Sequence, residues 1–225
     1  MSRHVQPPKE ESYQRLAPDD TSGFEEFFAL YLASMPKSER KSKLAMQALV
    51  RRPDYRLVLL RQFGRLIGYS VTFAPENDNF CLLEYMAVDA ACRNRGIGSK
   101  LFQHTADLVR ASRSGITLLL EVDSDRDAAP DRQLRKRRQT FYQRLGCLRV
   151  DRLKYLLPLD TGTAPPEMDL MLLLAAGDTV IRRADLAHWL RVIYEQVYGQ
   201  SPADPRIEQM VDAVDDPVKL VEVRE

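Results

Sequence analysis

The sequence predicts an α/β fold, a mixed sheet carrying helices on both faces, and three observations support it. Segments of strand and helix character follow one another as β-α-α-β-β-β-α-β-α-β, an order that suits such a sheet. An apolar run, Leu82-Leu83-Glu84-Tyr85-Met86-Ala87-Val88, leads through Arg93-Asn94-Arg95-Gly96-Ile97-Gly98 into a helical pattern with Ile97, Leu101, Thr105 and Leu108 on one face. Ile116 to Val122 is a leucine-rich run without polar alternation, as in a strand covered on both faces.

The elements can be taken in order. Met1 to Glu11 is polar and proline-bearing, a mobile lead-in. Tyr13 to Leu16 is a short first strand. Ser22-Gly23-Phe24-Glu25 reads as a capping box, and Phe24, Phe27, Phe28 and Tyr31 give the helix after it an apolar face that Pro36 ends. Ser38 to Arg51 is a second helix, with Leu44, Ala48 and Leu49 inward. Tyr55 to Phe63 and Leu66 to Ala74 are strands joined at Gly64-Arg65, a tight hairpin. Pro75 to Asn79 is a turn before the strand Phe80 to Val88. The next helix runs to about Ala111 and closes at Ser114-Gly115. After Ile116 to Val122 come a loop, Ser124 to Asp131, and a helix, Arg132 to Leu145, closed by Gly146. Leu148 to Leu157 is a strand, Asp160 to Glu167 a loop, and Asp169 to Ala175 the last strand. Beyond Gly177, Arg182 to Val197 is one amphipathic helix with Leu186, Leu190, Ile193 and Val197 aligned; a break at Pro202 to Arg206 precedes a short final helix.

Bulk properties narrow the function class. A chain of 225 residues, 44% hydrophobic and 29% charged, matches a soluble globular protein with room for a sizeable core. Its net charge of +1 creates no global field for nucleic acid or membrane. Cys81, Cys92 and Cys147 are unclustered, as reduced thiols of the cytoplasm would be. Met1 to Pro8 has no apolar core of a signal peptide, and no apolar run reaches membrane length. His4, His104 and His188 have no partner at metal-ligand spacing, so no metal is expected.

The glycine turn between strand and helix is the first chemical clue. Such a turn aims backbone N–H groups at one spot, at the positive end of the helix dipole, which suits phosphate or pyrophosphate. Its glycines let a ligand approach the backbone. A P-loop would need Lys-Ser/Thr after its last glycine, whereas Ser99-Lys100 stands in the reverse order. A dinucleotide fingerprint would need glycine where Arg93 stands.

Four elements in series make the chain resemble the GNAT superfamily of acyl-CoA-dependent N-acyltransferases. They are the Met86-Ala87-Val88 strand end, the Arg93 to Gly98 loop, Leu120-Glu121-Val122, and Phe141-Tyr142-Gln143-Arg144-Leu145-Gly146. The spacing departs from the family pattern between Glu121 and Tyr142, where Asp123 to Arg135 looks inserted. The resemblance implies a GNAT-like domain over residues 13–176, between the lead-in 1–12 and a helical C-terminal extension 177–225. It implies acetyl-CoA as co-substrate, bound by Arg93, Asn94, Arg95, Gly96, Ile97, Gly98 and Ser99. The backbones of Met86, Ala87 and Val88 would pair with its pantetheine arm, and the Val88 N–H would lie nearest the thioester oxygen.

Acyl transfer to an amine requires a base for the amine, donors for the oxyanion and an acid for the leaving thiolate. By resemblance Tyr142 is the acid; a phenol's reference pKa of about 10 is comparable to that of a thiol. Glu121 and Glu84 compete as general base, Glu121 being the first choice, and a water relay is a third option. A charge at the end of an apolar strand costs too much to be incidental. No cysteine occupies these motifs, so direct attack by the amine is expected. Glu84, Glu121, Asp123 and Asp125 would form an acidic mouth favouring a cationic amine, on a small molecule or a protein. Two basic runs, Lys37, Arg40, Lys41 and Lys43, and Arg132, Arg135, Lys136, Arg137 and Arg138, read as solvated helix faces. The expected activity is therefore acetyl transfer from acetyl-CoA to a primary amine by a cytoplasmic enzyme, with no membrane or nucleic-acid partner and a homodimer left open. A non-catalytic acyl-CoA-binding regulatory module and an RNA-directed acyltransferase acting on aminoacyl-tRNA are the alternatives.

Overall fold

A computed structural model describes residues 10–126, 131–158, 167–175 and 180–223. The expectations for the lead-in at 1–9, for Asp127, for His4, for most of the 160–167 loop and for Gly177 lie outside them. The chain forms two compact units: residues up to Ala74 with Glu84–Leu108, and Pro75–Leu83 with everything from Val109 on. No described helix is long and apolar enough to cross a membrane.

The first unit contains β1 (Glu11–Arg15), α1 (Thr21–Ser34), α2 (Lys43–Arg51), β2 (Tyr55–Gln62) and β3 (Arg65–Phe73). The outer part of β4 (Phe80–Val88) and most of α3 (Ile97–Ser112) complete it. β1, β2 and β3 pair antiparallel in that order, with Tyr13 opposite Leu60 and Tyr55 opposite Phe73. The predicted hairpin is present one residue earlier, at Phe63-Gly64, both with positive φ (49° and 83°). Two such residues make the hairpin turn whose twist matches its strands. Phe24, Phe27 and Tyr31 of α1 are buried, and Phe27 meets the Tyr69 ring edge-on at 5.0 Å. α3 buries Leu101 and Phe102, and its Thr105 hydroxyl shares a 2.8 Å hydrogen bond with Ser70 of β3.

Three local expectations need correction here. The cap of α1 is Asp20, whose carboxylate accepts the Gly23 N–H at 2.8 Å, so Ser22 lies inside the first turn. The second helix is shorter than expected: a single 3₁₀ turn (Lys37–Glu39) comes first, and Ser42 caps α2. That start sets the phase so that Met46 and Leu49 face inward, while Leu44 is 76% exposed and Ala48 faces solvent. On α3 the buried face also takes in Phe102, Ala106 and Val109, leaving Leu108 at its edge.

The second unit holds Phe80–Leu83 of β4, then β5 (Thr117–Asp123), α4 (Arg132–Arg144), β6 (Leu148–Val150), β7 (Tyr155–Leu156) and β8 (Glu167–Leu173). It continues with α5 (Arg183–Gln196), α6 (Pro205–Asp212) and β9 (Leu220–Val221). Its strands run β4-β5-β8-β6-β9, with β7 also on β8. The β4–β5 ladder is parallel, from Phe80 opposite Thr117 to Leu83 opposite Leu120, and the others are antiparallel. Leu118, Leu119 and Leu120 are buried beside Leu170, Met171 and Leu172. The strand expected over Leu148 to Leu157 is two short strands. Arg152 at φ 59° turns the chain between them, and the Asp151 N–H goes to Lys219 O at 2.9 Å. β9, which pairs with β6, has no counterpart among the predicted strands, because two paired residues are too few for a pattern. Trp189 of α5 is buried; its indole N–H donates to Asn79 Oδ1 at 2.8 Å, and its ring lies 5.8 Å from that of Phe80.

Candidate functional site

The glycine loop is anchored from below and open above. Cys92 and Ile97 are buried in a cluster with Leu60, Ile67 and Leu101. Between them Arg93, Asn94, Arg95 and Gly96 are exposed. Asn94 and Gly96 are both left-handed, at φ 61° and 74°, which bends successive N–H groups to one side. The first bond of the α3 ladder is Lys100 N–H to Gly96 O, 3.1 Å, so the N–H groups of Ile97, Gly98 and Ser99 precede it. Behind the loop, Asp89 ends β4. Its carboxylate accepts the Ala91 N–H at 3.0 Å and meets Arg65 at 2.6 Å; these contacts, the Ala91 N–H foremost, hold it below the usual carboxylate range. The Arg93 guanidinium folds back onto Val88 O at 3.1 Å. A ring of donors at the head of a sixteen-residue helix attracts an anion. Met86, Ala87 and Val88 lead into it, half-buried on β4.

Glu84 lies two residues before Met86 on the same strand, its side chain only 3% exposed. Its Oε1 is 3.0 Å from Lys41 Nζ, and its Oε2 is buried without a hydrogen-bond partner among the described residues. Aromatic rings surround the pair. Lys41 Nζ lies 6.0 Å from the Tyr85 ring centroid, the Tyr31 and Tyr85 rings meet edge-on at 5.3 Å, and the Lys41 N–H donates to the Tyr31 hydroxyl at 2.8 Å. Burial first, then the Glu84 charge, pushes the hydroxyls of Tyr55 and Tyr85 well above the ordinary phenol value, so both stay protonated. Removing one partner of such a buried pair commonly costs about 3–5 kcal/mol. Lys41 thus departs from the expectation of a solvated basic run. Its partner is 43 positions away, and nothing local in the sequence signals the pairing.

The second unit carries the other two candidates. Glu121 of β5 accepts hydrogen bonds on both oxygens, from the Tyr155 hydroxyl at Oε1 and from the Tyr198 hydroxyl at Oε2, 2.5 Å. Neither tyrosine stands in a motif the sequence reading could use. Tyr142 is half-buried on the last turn of α4. Burial pushes its hydroxyl up to about 12, Arg138 pulls it down and Cys147 adds to the rise. It is therefore a weaker acid than its reference value suggested. Gly146, at φ 91°, closes α4 as the motif implied. Beside α4, Asp169, fully buried, meets Arg126 at 2.6 Å, Arg149 at 3.8 Å and the Gln139 amide at 3.0 Å. Acids on this unit also meet the basic run of α4: Arg135 pairs with Asp131 and Arg138 with Asp123, so Asp123 adds little to an acidic mouth. No three His, Cys, Asp or Glu among the described residues could together hold a metal ion.

A model of the acetyltransferase (GNAT) family matches residues 22–146. No protein of curated function matches the sequence. Among solved structures, a GNAT-family acetyltransferase assignment from Bacteroides thetaiotaomicron aligns over 84% of this chain and 98% of its own, at 21% identity and a TM-score of 0.67. An aminoglycoside 6'-N-acetyltransferase complexed with coenzyme A aligns over 75% and 99%, at 17% identity and a TM-score of 0.59. The ribosomal-protein-S18-alanine N-acetyltransferase of Escherichia coli aligns over 76% and 98%, at 19% identity and a TM-score of 0.54. At these identities the structures speak for the fold, and the family match over more than half of the chain settles descent: the chain belongs to the GNAT family of acetyltransferases, acyl-CoA-dependent N-acetyltransferases.

Proposed function

We propose that the protein transfers an acetyl group from acetyl-CoA to a primary amine that binds as a cation, with Glu84 as the general base and Tyr142 as the donor to the leaving sulfur. The observation that carries the choice of base is the contrast between the two glutamates. Both oxygens of Glu121 already accept phenolic hydrogen bonds, from Tyr155 and Tyr198. Glu84 keeps one buried oxygen without a partner and already holds an ammonium on the other.

The donor set fits the co-substrate. Two left-handed residues, a helix N-terminus and the exposed Arg93 and Arg95 suit a pyrophosphate, with Asn94, Gly96, Ile97, Gly98 and Ser99 supplying backbone. The bound thioester supplies an electrophilic carbonyl and a thiol leaving group. The Met86, Ala87 and Val88 backbone would align the extended arm, and the Val88 N–H would polarise the carbonyl oxygen. Glu84 would take the proton from the amine, and aromatic walls would hold the amine's charge until then. The Tyr142 hydroxyl, protonated through the working range, would donate a hydrogen bond to the sulfur as charge develops there. The cytoplasm is the compartment that three reduced, buried thiols suit.

A panel of primary amines, screened for acetyl-CoA-dependent thiol release, tests the reaction. Release with a cationic amine and none with a carboxylate-bearing amine of equal length is the expected result. Binding of acetyl-CoA without release for any amine would replace catalysis by a holding role. Gly98→Val tests the loop: a branched side chain in the first turn of α3 should weaken CoA binding at least about 10-fold, read by calorimetry on the folded variant. Unchanged affinity would move the phosphates elsewhere.

A further inference from the structure

The proposed base already holds an amine, and the amine belongs to the chain itself. Lys41 Nζ sits 3.0 Å from Glu84 Oε1 and within cation–π reach of Tyr85. The lysine is placed there by its own backbone. Its N–H donates to the Tyr31 hydroxyl at 2.8 Å, and Arg40 beside it donates to Met35 O at 2.8 Å, which ties the segment between α1 and α2 to the end of α1. Its side chain is 25% exposed, so it is neither sealed in nor waving in solvent. Glu84 lies two residues, roughly 7 Å, along β4 from Met86. Met86 opens the stretch assigned above to the thioester arm.

We propose that Lys41 is an acetyl acceptor of the protein's own reaction, modified within the chain that carries it. This rests on the reading of Glu84 as base and of Met86–Val88 as the seat of the arm. Lys41 gives one ammonium proton to Glu84, and its nitrogen lone pair attacks the thioester carbon. The C–N bond forms as the C–S bond breaks. The second proton leaves with the sulfur, and CoA departs as the free thiol. The product is a neutral amide. Once Glu84 has passed its proton to solvent it stands without its cation, so the modification changes the charge of the acceptor site from balanced to negative, which strengthens its pull on an incoming cationic amine.

The test compares lysines within one protein. Lys43 is two residues away, ion-paired to Glu25 at 2.7 Å, but both partners are exposed. It reports background acylation of a paired lysine. Purified protein is incubated with acetyl-CoA and digested, and acetylation of each lysine is followed by mass spectrometry. Lys41 should be modified at least 10-fold faster than Lys43, with a rate constant independent of protein concentration. Glu84→Gln should slow Lys41 at least 10-fold. The same variant, without acetyl-CoA, should react faster at Lys41 with N-hydroxysuccinimide acetate, because the amine is no longer tied up in the ion pair. Equal rates for Lys41 and Lys43 in the parent protein overturn the proposal, and so does a Glu84→Gln effect of the same sign with both reagents. If the amine panel shows turnover while Lys41 stays unmodified, only this inference falls. If neither occurs, the proposed acetyl transfer falls with it.

Discussion

Glu84→Gln is expected to lower kcat/KM for a cationic amine by about 10² near neutral pH, with the deficit shrinking as the pH rises. A primary alkylamine with a pKa of about 10.4 is almost fully protonated at pH 7 and must lose a proton before it can attack. On the proposed reading, the Glu84 carboxylate provides that step in the parent protein. In the variant the reaction draws on the small fraction of free amine in solution, which grows tenfold per pH unit. The rate of the variant therefore climbs toward that of the parent as pH approaches the amine's pKa. Glu121→Gln should behave differently. It replaces a carboxylate that accepts from Tyr155 and Tyr198 with an amide that can accept on one side only, so its profile should be lower by a constant factor and parallel to the parent. A pH-rate series of kcat/KM for both variants decides between them. Alkaline recovery in Glu121→Gln with a parallel profile for Glu84→Gln would exchange the two assignments.

Tyr142→Phe is expected to lower kcat by about 10² while leaving CoA affinity nearly unchanged, since the ring and its packing remain and only the donor is lost. The group's environment adds a second, sharper expectation. Burial raises the hydroxyl to about 12, so it stays protonated through neutral and mildly alkaline pH. The parent should then show no alkaline fall in kcat traceable to this group below about pH 11. A limb near pH 8 or 9 that disappears in Tyr142→Phe would mean that the bound state makes it a far stronger acid. Equal kcat in the two proteins would return Tyr142 to a packing role.

What the residues determine alone is the frame. β4, its glycine turn and α3 were legible because strand, turn and helix signals lie within some thirty consecutive residues, and each is local. The hairpin at Phe63-Gly64 and the close of α4 at Gly146 were legible for the same reason: positive φ favours glycine. The phase of α2 was not, because it depends on whether Ser42 or an earlier residue caps the helix, a choice of a few tenths to about 1 kcal/mol that packing overrides. Nor was β9, whose two residues acquire strand geometry only by pairing with β6.

The chemistry of the site divides in the same way. Glu84, Glu121 and Tyr142 could be singled out as candidates from a charge in an apolar strand and a phenol in a helix motif. The groups that each carboxylate meets lie far away in sequence: Lys41 for one, Tyr155 and Tyr198 for the other. Pairings across 34 to 77 positions leave no periodicity to detect, and the cost of burying a carboxylate says only that a partner exists, not which residue it is. Tertiary structure makes that choice, because only the folded chain fixes which side chains share a desolvated volume, and within it a single hydrogen bond changes a carboxylate's readiness to take a proton.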